Sequence, residues 1–276
     1  MDDLGAIFTF EKKIVKIRPT NVCWPLLFIF MKQYPKLKFL ISQSQELKTF
    51  SNFLKESQMQ NNDRERDWAF FRPHPSLKIL KRTILSSRQR KVIIQNYISS
   101  FYGKNVNEIR KDTVFIKYGW GKLEKSFYQS VDKIFRHYPW PKGKYIVYPT
   151  IWGMYSRNIR EKTFQFPYKH YQKNYPFVVI AHEMLHFIFY NYFFKHYPRY
   201  RKGKYDLFVW HISEIFNVII QNSPPWLKIF NTHVQTYPEH RKIIEQLQQR
   251  YYFNNKDIEA ERLIQDIIEK VKKRKL

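Results

Sequence analysis

The chain has 276 residues, enough for one large domain or two small ones, and its 43% hydrophobic residues can form a substantial core, which excludes a disordered chain. A single cysteine, Cys23, excludes an internal disulfide framework and a metal cluster held by several thiolates of this chain. The formal net charge of +26 ordinarily indicates nucleic acid or an anionic membrane as a partner. A coding bias would explain that charge as well, because the chain is rich in lysine and has only four alanines.

The N-terminal part, residues 1–75, has a mixed pattern whose role the sequence does not indicate. Alternation of apolar and polar residues predicts strands, helical spacing predicts one helix, and the sequence Arg72-Pro73-His74-Pro75 predicts a rigid break. The predicted elements are strands at 7–18 and 37–41, a helix at 45–56 and a polar loop at 58–66.

The next region, residues 76–143, is predicted to be helical. Apolar residues recur at helical intervals from Ser76 to Ile94 and again from Trp120 to Phe135. Prolines and a glycine then interrupt the pattern. Short runs rich in β-branched and aromatic residues at 144–148 and 162–167 predict a small sheet.

Two apolar helices are predicted after the sheet, within a region that we delimit as 144–223. They lie at 177–194 and 206–222, and the basic loop 195–205 separates them. Ser223-Pro224-Pro225 is expected to end the second helix. Amphipathic helices at 239–251 and 257–273 complete a basic C-terminal extension, residues 224–276.

No part of the sequence predicts a membrane-spanning segment. The apolar run from Trp24 to Met31 is short, is broken by Pro25 and follows an acidic N-terminus, so we expect no signal peptide. The stretch from Tyr175 to Phe194 approaches spanning length but has ionisable residues at its centre, which are costly in lipid. We therefore expect a cytoplasmic protein.

The sequence His182-Glu183-Met184-Leu185-His186 matches the pattern H-E-x-x-H. Residues four apart on a helix lie one turn above each other, so both imidazoles reach one ion while Glu183 points toward a water beside them. Apolar residues flank the motif on both sides, and burial of these groups without partners would be costly. The alternative is a pair of core histidines with an incidental glutamate. The motif favours a zinc ion, Zn²⁺, with one further protein ligand.

The third ligand is predicted to be Glu214. Almost every residue of the helix at 206–222 is apolar, but His211, Glu214, Asn217 and Gln221 form a polar stripe along one third of its circumference. A buried polar stripe requires a polar partner. Two alternatives stay open: Glu214 pairs with a lysine or arginine, or His211 is the third ligand.

A motif H-E-x-x-H followed by a glutamate on a second helix resembles the gluzincin metallopeptidases, of which thermolysin is the best known. The resemblance covers about residues 144–222 and implies an α+β, mainly helical fold with a zincin-like core, in which a small sheet precedes the motif helix. It implies a zinc-dependent peptidase with His182, His186 and Glu214 as ligands. Gluzincins commonly have an aspartate four residues after the ligand glutamate to orient a histidine, and here Val218 stands there. Asn217 is expected to supply that hydrogen bond, with His211 as the alternative.

The resemblance also implies a mechanism. Zinc would polarise the scissile carbonyl and activate a water, and Glu183 would act as the general base. The oxyanion requires a further donor, and His211 is favoured over Tyr190 and Tyr205 because it lies one turn before Glu214. A strand near 162–166 would pair with an extended peptide or protein substrate. The basic loop 195–205 would favour acidic substrates.

Three other functions stay open. A basic nucleic-acid-binding protein would explain the charge, although no recognised nucleic-acid motif is present. A structural zinc site would leave Glu183 without a task and would require a closed shell of four ligands. A membrane-embedded zinc protease would require several spanning segments.

Overall fold

The described part of this computed structural model comprises residues 34–59, 67–81, 84–252 and 258–274. The strand predicted at 7–18 lies outside these residues, as does most of the polar loop predicted at 58–66. Residues 34–276 form one compact unit.

Within the described residues, four strands form one mixed sheet. Their order is β1 (Leu37–Phe39), β2 (Tyr145–Thr150), β4 (Thr163–Pro167) and β3 (Arg157–Asn158). The first three are parallel, and β3 is antiparallel to β4. The strands predicted near residues 37, 144 and 162 are confirmed. The sequence does not predict β3, because two residues are too short a segment to display an alternating pattern.

The helices of the N-terminal half are α1 (Gln43–Met59), a π-helical turn (Asp67–Phe71), a 3-10 helix (Pro75–Lys81) and the 48-residue α2 (Ser87–Ile134). The helix predicted at 45–56 is confirmed by α1. A capping box starts α2: the Ser86 hydroxyl accepts from the Gln89 N–H at 3.2 Å, and the Gln89 side chain accepts from the Ser86 N–H at 2.8 Å.

The C-terminal half contains α3 (Tyr175–His196), α4 (Asp206–Gln221), α5 (Pro224–Phe230), α6 (Arg241–Tyr252) and α7 (Ala260–Arg274). The four helices predicted there are confirmed as α3, α4, α6 and α7. The sequence does not predict α5. Pro224 and Pro225 occupy its first turn, where proline fits because no N–H is required, and it ends at Asn231 in the left-handed conformation.

Helix α3 lies between the sheet and α4 and is buried on nearly all sides. Phe187 of α3 packs against Tyr145 of the sheet with ring centroids 5.2 Å apart, and Phe189 packs against Phe216 of α4 at 5.2 Å. Full burial of one such side chain contributes on the order of 2–3 kcal/mol, so the orientation of α3 is strongly determined. By length and composition α3 could cross a membrane, and 78% of its apolar window is buried inside the protein.

Helix α2 spans two apolar clusters. Its C-terminal half belongs to the main core around α3, and its N-terminal half belongs to a second cluster that contains Phe50, Phe70 and Trp152. A cleft of about 750 Å³ is lined by members of both clusters, with Phe70 from the second and Val179 of α3 from the first. The fold therefore places one side of α3 in the wall of a cleft that the two apolar clusters share.

Candidate metal centre

The three motif residues lie together on α3. His182 and His186 are one turn apart, and their Nε2 atoms are 3.0 Å from each other. Glu183 is 3% exposed and lines the cleft beside His182. The prediction that a buried helix carries both imidazoles on one face is confirmed.

Helix α4 packs against α3 and brings Glu214 to both imidazoles. The two carboxylate oxygens of Glu214 lie 3.3 Å from Nε2 of His182 and 3.4 Å from Nε2 of His186. One ligand atom from each of the three residues falls within 4.8 Å of the others. His211 is outside this group, so of the two candidates for the third ligand it is Glu214 that lies beside both imidazoles.

The spacing of these atoms fits a tetrahedral cation. Ligand atoms about 2.0–2.1 Å from such an ion lie roughly 3.3 Å from one another. The two imidazole nitrogens are 3.0 Å apart, Oε2 of Glu214 lies 3.3 Å from the nitrogen of His182, and Oε1 lies 3.4 Å from that of His186, so each imidazole has a carboxylate oxygen at about this distance. Two imidazole nitrogens and one carboxylate oxygen are also the donor types that zinc takes in catalytic sites, which keep the fourth position for water.

The ring of His182 is oriented by Gln221 and not by Asn217. Nδ1 of His182 donates to Oε1 of Gln221 at 2.7 Å, and the Gln221 amide donates to the carbonyl of Val178 at 3.0 Å. Asn217 donates instead to the backbone carbonyl of His182 at 3.2 Å. The expectation for Asn217 is therefore corrected: it lies one helical turn from Gln221 on the same stripe but reaches the main chain.

An arginine that no sequence pattern singles out also lies in the site. Arg157, on β3, donates from one guanidinium nitrogen to Glu214 at 3.0 Å and from another to Glu183 at 3.4 Å. Its side chain is 18% exposed and lines the cleft. One of the alternatives left open, a basic partner for Glu214, thus occurs together with the histidine cluster.

Burial governs the ionisation of the site. Burial, assisted by the positive charge of Arg157, lowers the pKa of His186 to about 3, so its imidazole is neutral at neutral pH. Burial opposes ionisation of Glu214, but the histidines and Arg157 outweigh it and hold the pKa of Glu214 well below its usual value. A neutral imidazole and a carboxylate are the forms that bind a metal ion.

Burial also acts on the expected general base. It raises the pKa of Glu183, against the opposing charges of Arg157 and His182. A raised pKa brings a carboxylate closer to the range in which it accepts and returns a proton at neutral pH.

His211 forms a pair with a second histidine. Its Nδ1 lies 2.7 Å from Nε2 of His240, and burial lowers the pKa of both rings. His211 is not among the described residues that line the cleft, whereas Tyr190 is, with its hydroxyl 3.1 Å from that of Ser213. The role of His211 as an oxyanion donor stays a prediction, and this pairing does not favour it.

The strand next to the cleft is β3 and not the strand near 162–166. β4 pairs with β2 on one side, and on the other side its residues Thr163 and Phe164 pair with β3, so this part of β4 has no free edge for a substrate. Arg157 of β3 lines the cleft together with its neighbours Tyr155, Ser156 and Ile159. The strand that lines the cleft is therefore β3, and the pairing of a substrate with a strand stays a prediction.

Two basic side chains of the loop between α3 and α4 pack over tyrosine rings of the same loop. Arg199 and Lys204 lie over the rings of Tyr200 and Tyr205, at 4.8 and 5.1 Å from their centroids. In the part of the chain that the structure describes, no residue of this loop lines the cleft. Its influence on an acidic substrate would have to act at a distance.

Comparisons of the chain with protein-family models, with curated proteins and with solved structures found no match. The geometry of the site and the chemistry of its residues are therefore the basis of a functional proposal.

Proposed function

We propose that the protein is a zinc-dependent metallopeptidase of the gluzincin type, with a zincin-like core formed by the sheet, α3 and α4. One observation carries the proposal. Two imidazole nitrogens 3.0 Å apart, each with an oxygen of the Glu214 carboxylate within 3.4 Å, lie beside the carboxylate of Glu183 at a cleft. A structural site would have no use for Glu183, which lines the cleft without being a ligand.

The residues have distinct roles. His182, His186 and Glu214 would hold the ion, which when bound supplies a Lewis acid and an acidified water. Glu183 would accept the proton of the attacking water and return it to the nitrogen of the leaving amine. Gln221 fixes the ring of His182, the task that an aspartate commonly has in gluzincins at the position of Val218 here.

The cleft suits a peptide. Its volume of about 750 Å³ can contain several side chains, and its walls combine apolar and aromatic groups with a few polar ones. The aromatic lining residues include Trp68, Phe70, Tyr155, Tyr175 and Trp210.

The first test measures metal. Protein purified without chelator is expected to contain about one zinc per chain, and His186→Ala is expected to contain almost none. Zinc near zero in the wild-type protein would refute the proposal at its first step.

The second test measures hydrolysis of a peptide library by the zinc-loaded protein. Glu183→Gln should keep its zinc and lose about 10²- to 10⁴-fold in kcat/KM, because the ligands stay and the base is removed. Glu245→Gln, at an exposed glutamate of α6, is the matched control and should keep full activity. Zinc-loaded wild type that cleaves no peptide, or Glu183→Gln that cleaves as fast as the control, would contradict the peptidase assignment.

A further inference from the structure

Arg157 contacts both groups on which the proposed reaction depends. Its guanidinium lies 3.0 Å from an oxygen of Glu214, the candidate ligand, and 3.4 Å from an oxygen of Glu183, the candidate base. A carbonyl that is attacked between these two groups would therefore lie within a few ångströms of the guanidinium. Two of its five N–H donors are directed at carboxylates, so further donors are left over.

The charges of the site also point to an anion. As carboxylates, Glu183 and Glu214 would contribute two negative charges, and Arg157 contributes one positive charge. A divalent cation on the neutral histidines would leave one surplus positive charge in a buried setting. Such a charge is stabilised best by a negative charge that binds or develops beside it.

No second arginine or lysine occurs among the described residues that line the cleft. The donor expected from the sequence, His211, is paired with His240 instead. Arg157 is held in place by two ion pairs on a strand of the sheet, so it would act without reorganisation during the reaction.

We propose that Arg157 is a catalytic residue, which donates a hydrogen bond to the oxygen of the scissile carbonyl as that oxygen becomes negative. This inference rests on the proposed function. The water oxygen bonds to the carbonyl carbon, the π electron pair moves to the carbonyl oxygen, and the water proton moves to Glu183. When the pair re-forms the carbonyl, the C–N bond breaks and its electrons stay on nitrogen, which takes the proton from Glu183. Arg157 keeps all its protons throughout.

The test compares two inhibitors built on the sequence that the protein cleaves best. A phosphinic peptide has a negative tetrahedral oxygen at the scissile position, whereas a mercaptoacyl peptide binds the metal through sulfur and has no such oxygen. The variants are Arg157→Gln and Arg157→Lys. Arg160→Gln is the control, because Arg160 is an exposed arginine three residues along the chain.

Arg157→Gln is expected to lower the affinity for the phosphinic peptide about 100-fold or more, measured by titration calorimetry. Its affinity for the mercaptoacyl peptide should fall by less than about threefold. Its kcat should fall about 10²- to 10³-fold with little change in KM. Arg157→Lys keeps the positive charge and should recover part of the affinity for the phosphinic peptide. It replaces Arg157→Gln in the test if that variant does not fold. The zinc dissociation constant is measured for every variant.

If Arg157→Gln loses affinity for both inhibitors equally, or for neither, Arg157 has a purely structural role and the inference is overturned. That result differs from failure of the proposed function. If the proposed function is wrong, the wild-type protein itself will bind no zinc, cleave no peptide or bind neither inhibitor.

Discussion

Nδ1 of His182 lies 2.7 Å from Oε1 of Gln221, whose amide is held in turn by the carbonyl of Val178. This chain of hydrogen bonds directs the other ring nitrogen of His182 toward His186 and Glu214. Gln221→Leu keeps most of the side-chain volume but removes the acceptor. We expect it to raise the zinc dissociation constant about 10- to 100-fold, measured by competition with a chelating dye.

Asn217→Leu is the matched control for that variant. Asn217 is also buried on α4 and also bonds to His182, but through the backbone carbonyl rather than the ring. Asn217→Leu should lower the free energy of unfolding, while its zinc affinity should change by less than about threefold. Equal losses of zinc affinity in the two leucine variants would mean that Gln221 supports the packing of α4 rather than the ring.

The third ligand can be assigned by three alanine variants. Glu214→Ala should lower zinc affinity by more than the roughly 100-fold that loss of a supporting hydrogen bond costs, because it removes a donor atom of the site. His211→Ala should have little effect, since His211 is paired with His240. Glu239→Ala is the control at an exposed glutamate. Zinc loss in His211→Ala with retention in Glu214→Ala would exchange their roles.

Helical periodicity explains how much of the site the sequence predicts. Residues 182 and 186 must share a face of any helix, and a polar stripe on an apolar helix must meet a polar partner, so both helices of the candidate site and the position of Glu214 are predictable. Periodicity specifies a face and not the direction of each side chain. It therefore could not distinguish Gln221 from Asn217, which lie on the same stripe.

Arg157 could not be predicted for a different reason. Nothing local distinguishes it from the other basic residues of a chain with 49 lysines and arginines. Its position depends on the pairing of β3 with β4, which brings residues distant in sequence beside α3 and α4. That α2 is one continuous helix also depends on tertiary packing. It contains several glycines, and its two halves pack in two different apolar clusters.

Two of those glycines allow a test of the packing of α2 against the motif helix. A Cβ on Gly119 would overlap the ring of Phe177, in the first turn of α3, whereas a Cβ on Gly121 would meet open space. Gly121→Ala should stabilise the protein by up to about 1 kcal/mol through helix propensity. Gly119→Ala should lose that gain and destabilise the protein by about 1–2 kcal/mol through overpacking. Urea unfolding of both variants measures the difference, and a stabilised Gly119→Ala would show that Phe177 moves aside freely.

The last prediction concerns a buried carboxyl group outside the metal centre. Glu46 of α1 is fully buried, and its carboxylate accepts hydrogen bonds from Tyr102, Thr150 and the backbone N–H of Ile151. Burial raises the pKa of Glu46 to about 7, although these hydrogen bonds lower it. Between pH 4.5 and 7 the folded protein therefore binds more protons at this group than the unfolded chain.

The sign follows from linkage. A state that binds more protons is weakened as pH rises, so Glu46 lowers the free energy of unfolding progressively from pH 4.5 to 7 and by a constant amount above that. The loss is about 3 kcal/mol, since one pKa unit corresponds to about 1.4 kcal/mol. Glu46→Gln cannot ionise. Relative to wild type, it should gain about that much stability between pH 4.5 and 7.5.

Denaturant unfolding at several pH values, with EDTA to remove any contribution from metal binding, measures that difference. Other titrating groups are common to both proteins and cancel in the comparison. Glu245→Gln, at an exposed position, serves as the control and should follow the wild-type curve in parallel. If Glu46→Gln also stays parallel to wild type from pH 4.5 to 7.5, the three hydrogen bonds outweigh burial, and Glu46 is ionised in the folded protein throughout that range.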